Sequence, residues 1–62
     1  MKELEIISGH IDDKVIQLRE YLSDGKAENF EDYKRICGEI RGLLVAKGYA
    51  LDLKQTMEKA DE

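Results

Sequence analysis

Apolar residues recur near the start of the chain at spacings of three and four: Leu4, Ile7, Ile11, Val15, Leu18 and Leu22. That spacing predicts one face of an amphipathic helix, with Asp12, Asp13, Arg19 and Glu20 off the face. Gly9 sits inside the run. Ser8 could cap a helix beginning there and leave the first seven residues as an extended arm, but the apolar phase passes through Gly9 and predicts a helix over about 3–23. The segment Ser23-Asp24-Gly25-Lys26-Ala27-Glu28-Asn29 breaks the pattern. Gly25 can take the left-handed conformation that ends a helix. Asn29 is a good N-cap, with Glu31 and Asp32 placing negative charge in the first turn that follows.

A second stripe then runs through Tyr33, Ile36, Cys37, Ile40, Leu43, Leu44, Ala50, Leu51 and Met57. It predicts a helix over about 30–59, with a bend or stop near Gly48-Tyr49 as the alternative. Glu31 and Arg35 form an i,i+4 pair of favourable order. Phe30 and Tyr33 are placed to close the chain reversal near the turn. Two helices joined by a short turn make an antiparallel hairpin, an all-α fold in a single domain over 1–62. The helices differ in length, roughly 31 Å against 45 Å at 1.5 Å per residue. The end of the second helix should therefore overhang, leaving Leu51, Leu53 and Met57 poorly covered. A two-helix hairpin also leaves a side of its own core open, which predicts a partner or self-association.

Gly38 and Gly42 lie inside the second predicted helix, where each costs roughly 0.5–1 kcal/mol relative to alanine. They fall on the far side from Ile40, near Arg35, Val45, Ala46, Tyr49, Leu53, Thr56 and Ala60. Small residues four apart let another backbone come close. The expected protein interface is Arg35, Gly38, Gly42, Val45, Tyr49, Leu53 and Met57, with Tyr49 as its anchor. Lys34, Arg35 and Arg41 form a small basic cluster around Gly38 that would suit an acidic patch on a partner.

Composition narrows the alternatives. At 62 residues the chain buries only about 60% of its unfolded surface, so its core is marginal and needs support. One cysteine, Cys37, cannot make an intramolecular disulfide, and one histidine, His10, leaves no metal-ligand spacing. The net charge of −4, with both signs interspersed, opposes nucleic-acid binding. No apolar run approaches a membrane span, and the acidic start is unlike a signal peptide, so a complete short chain made and used in the cytoplasm is expected. Asp12-Asp13 and Glu31-Asp32 are adjacent on helices and point about 100° apart, so they do not converge on one substrate atom. There is no phosphate loop or nucleophile elbow. No cofactor, small-molecule substrate or catalytic role is expected.

The stretch Tyr33-x-x-x-Cys37-Gly38-Glu39-Ile40-Arg41-Gly42-Leu43, followed by Ala46 and Asp52-Leu53, resembles short helical proteins of unknown activity encoded by tailed bacteriophages, T7-like and related short-tailed phages. The acid-ended Met57-Glu58-Lys59-Ala60-Asp61-Glu62 fits the same pattern, and the resemblance covers residues 30–62. It implies a phage protein often encoded near virion structural genes, and it marks Tyr33, Cys37, Gly38, Gly42 and Leu43 without assigning them chemistry. The expected function is a non-enzymatic assembly protein, a virion accessory at the capsid or head-to-tail connector. It would act in the host cytoplasm or the virion, through a protein partner or copies of itself. The alternative is a small phage regulator that binds and inhibits a host protein.

Overall fold

The computed structural model describes residues 2–60, and Met1, Asp61 and Glu62 lie outside the described residues. Helix α1 runs Lys2–Ser23 and helix α2 runs Phe30–Ala60. They pack side by side as a hairpin, with no strand among the described residues. The alternatives of an extended N-terminal arm and a bend at Gly48 are both absent: α1 is helical through Gly9, and α2 is unbroken through Gly48.

Local chemistry fixes the reversal. Gly25 has φ 74°, where an L side chain is strained. The Lys26 N–H reaches the Tyr21 carbonyl at 3.2 Å and the Gly25 N–H the Leu22 carbonyl at 3.1 Å. These two bonds are the paired closure of a glycine-terminated helix. The next helix opens on Asn29, whose side-chain oxygen accepts from the Asp32 N–H at 2.8 Å. Asp32 in turn accepts from the Glu28 N–H at 3.1 Å. Each side of this reciprocal cap satisfies a donor that the helix itself cannot.

The seam between the helices alternates spacings of four and three. On α1 the inward positions, all buried or half-buried, are Leu4, Ser8, Ile11, Val15, Leu18 and Leu22; on α2 they are Ile36, Ile40, Leu43, Lys47, Ala50, Lys54 and Met57, and Asp12, Tyr21, Asp32 and Cys37 are half-buried beside them. That 3.5-residue period is the pattern of a coiled coil. It corrects the expected stripe in several places. Ile7 is 53% exposed, because Ser8 holds the inward position at that turn. Leu44 and Leu51 flank the seam and are exposed. Phe30 and Tyr33 do not close the hairpin: they stack on each other at 6.3 Å on the exposed start of α2, with the Lys34 ammonium 5.6 Å from the Phe30 ring centre. Met57 is half-buried, so the pairing extends further along α2 than the length difference implied, whereas Leu51 and Leu53 are exposed as expected.

Candidate interaction surface

Among the described residues only Val15 and Ile36 are buried, at 3% and 2% exposure. Every other seam residue is reached by solvent from one side of the helix pair or the other. The chain exposes 4965 Å². A compact monomer of 7.1 kDa would expose about 4,100 Å². The excess, roughly 900 Å², is close to the ~800 Å² that each partner contributes to an ordinary protein–protein interface.

Two faces flank the seam. The first carries an open groove lined by Glu5, Gly9, Asp12, Lys47, Leu51 and Lys54 among others. Cys37 and Leu44 precede Leu51 at seven-residue intervals, so they continue the same edge of α2 toward the turn. Ion pairs cross the seam here. Lys47 Nζ is 2.6 Å from Asp12 Oδ1, and Lys54 Nζ is 3.0 Å from Glu5 Oε1. Asp12, read from sequence as off the packed face, is half-buried beside the seam. The second face is lined near the turn by Lys14, Tyr21, Arg35 and Glu39. Toward the free end the same edges carry Ile7 on α1 and Ala46 and Leu53 on α2.

The seven expected interface residues do not form one patch. Gly38, Gly42, Val45, Tyr49 and Leu53 are exposed on the outer and second-face side of α2, with Tyr49 at 70%. Met57 is turned into the seam, because it continues the alternation through Ala50 and Lys54. Arg35 is exposed, but its guanidinium is held within the chain, 2.7 Å from Asp32 and 3.6 Å from Glu39 rather than on Glu31. A Cβ added at Gly38 or Gly42 meets nothing within 4 Å, so no close backbone approach within the hairpin requires either glycine. Sequence reasoning missed Ile6, Ile7 and Ile16, exposed by about half on α1, and the seam lysines Lys47 and Lys54. Lysine stems cover apolar surface while their charged ends reach the edge, so hydrophobic periodicity does not register them.

Two of the carboxyl groups are shifted by ion pairs. Hydrogen bonding from Arg35 holds the Asp32 carboxyl below the usual carboxylate range, with the Glu28 N–H adding to the effect. Hydrogen bonding and charge from Lys54 do the same for Glu5. Both acids therefore bind protons less readily in the folded hairpin than in the unfolded chain. Their contribution is present above the unfolded value and is lost as pH falls through the folded one. The melting temperature is expected to drop below about pH 4. The double variant Glu5→Gln/Asp32→Asn should flatten that drop; an unchanged acid limb in a thermal titration would show that neither pair contributes. The Tyr33 hydroxyl pKa is raised, by hydrogen bonding with Cys37 and by the negative charge that Cys37 carries as a thiolate. Among the described residues no group of three or more His, Cys, Asp or Glu side chains could hold a metal ion. No helix among them is long and apolar enough to cross a membrane.

No protein-family model matches this chain, and neither a curated protein nor a solved structure matches it.

Proposed function

We propose that this chain is a small non-enzymatic assembly protein that works by burying its helix faces against other protein. The observation that carries this is the open seam. With two of the described residues buried and about 900 Å² of surface in excess of a compact monomer, the hairpin is half of a packed structure. The finer reading, a virion accessory of a tailed phage at the capsid or head-to-tail connector, is supported by the resemblance over residues 30–62. On that reading it acts in the host cytoplasm and then in the virion.

One feature favours a second reading, a small phage regulator that binds and inhibits a host protein. Tyr49 stands 70% exposed near Val45 and Leu53, a compact anchor of the type that fits a pocket on a single partner. The two readings separate in one preparation. A virion component co-purifies with particles at a copy number that matches a symmetric ring or shell. A regulator is absent from particles and co-purifies with one host protein. A chain that does neither, and stays a folded monomer at high concentration, sinks the assembly reading altogether.

A further inference from the structure

We infer that the face carrying Cys37, Leu44 and Leu51 is covered by a second copy of this chain, antiparallel to the first, with the two turns at opposite ends of a four-helix bundle. This rests on the assembly reading above and commits it to one occupant on one face. The argument is self-complementarity. The face has two parallel rows, each with a seven-residue repeat: Cys37, Leu44 and Leu51 on α2, and Glu5, Asp12 and Arg19 on α1. The cross-seam pairs Asp12–Lys47 and Glu5–Lys54 put the middle members, Leu44 and Asp12, within about one helical turn of each other along the hairpin. One two-fold axis can therefore pass through both.

That axis sets Leu44 of one copy on Leu44 of the other, and Cys37 on Leu51 at each side. Apolar row meets apolar row over three heptad layers. On α1 the same axis brings Glu5 of one copy to Arg19 of the other, twice, as opposite charges. Asp12 meets its symmetry mate at the centre, where each carboxylate is already held by its own Lys47 at 2.6 Å. Ile16, 51% exposed, is carried to the space over Gly9, where an added Cβ would meet nothing within 4 Å. The alternative stacking, α1 on α2 with both turns at one end, lays Leu44 on Asp12 and Leu51 on Glu5, and leaves apolar surface against carboxylates. The roughly 900 Å² of excess surface is what one such contact removes from each copy. The outer surface around Tyr49 stays open for a different protein.

Cross-linking with a mild disulfide oxidant, oxidised glutathione, tests the register on the full chain. In a Cys37→Ser background, Leu44→Cys should form a dimer-spanning disulfide with itself. With Cys37 retained, Leu51→Cys should cross-link, and it should stop doing so when Cys37→Ser is added. Sedimentation equilibrium should show a dimer for the parent chain, and Leu44→Glu should raise its dissociation constant at least about a hundredfold while helical circular dichroism persists. A dimer in which Leu44→Cys does not cross-link overturns this face and register but leaves the assembly reading standing. So does a monomer that is nevertheless recovered with particles or with a host protein. A monomer recovered with neither overturns both.

Discussion

Replacing Ile36 with aspartate is expected to abolish the hairpin. Among the described residues Ile36 is the most buried side chain, at 2% exposure, and only Val15, at 3%, comes near it. A carboxylate at position 36 would lose water and gain no partner, which costs several kcal/mol. At 0.05–0.15 kcal/mol per residue, a chain of this length has a total stability of only about 3–9 kcal/mol. One unpaired charge is thus comparable to everything that holds the fold. Ile40→Asp should act in the same direction but less strongly, because Ile40 is half-buried. Val45→Asp, on a side chain 48% exposed, is the control and should leave the helices in place. Far-ultraviolet circular dichroism reads all three. A cooperatively melting, fully helical Ile36→Asp variant would mean that the seam is not where Val15 and Ile36 put it.

The parts of this structure that were legible in the sequence are those set by local chemistry. Gly25 and Asn29 terminate and start helices through bonds within a few residues of themselves, so their roles do not depend on what packs where. Both helices followed from that, to within a residue or so at each end. The phase of packing was harder to read because apolar residues lie on several sides of α2. Leu43, Leu44 and Val45 are consecutive, yet only Leu43 belongs to the seam. On α1, counting hydrophobicity selected Ile7, while the alternation of four and three residues selects Ser8. A strict heptad rule applied outward from Val15 and Ile36 would have found Ser8, Lys47 and Lys54, since geometry fixes the seam and the residue types merely tolerate it. The outer side of α2 around Val45 and Tyr49 was legible as exposed, whereas Ile7 and Leu44 were not, because their residue types match the packed stripe. A different protein's contact depends on that protein's surface, which no pattern within this chain encodes; only a contact between copies can leave its pattern here.

Gly42 and Tyr49 should separate stability from binding. A Cβ at position 42 meets open space in the hairpin, so Gly42→Ala is expected to stabilise the helix by roughly 0.5–1 kcal/mol, seen as a higher melting temperature. Gly42→Leu should also keep full helicity. If another protein lies against this side of α2, however, the leucine stands where its backbone must come, and the fraction of chain recovered with that protein should fall. Tyr49→Ala removes a side chain that is 70% exposed, so it should barely move the melting temperature. As an anchor, its loss should weaken the same recovery by about thirtyfold, the ~2 kcal/mol typical of a tyrosine hot spot. The opposed signs are what make the pair informative: a variant that is more stable and binds worse cannot be explained by damage to the fold. If Gly42→Leu and Tyr49→Ala both bind like the parent, the outer side of α2 makes no contact, and its glycines are simply helix positions that nothing fills.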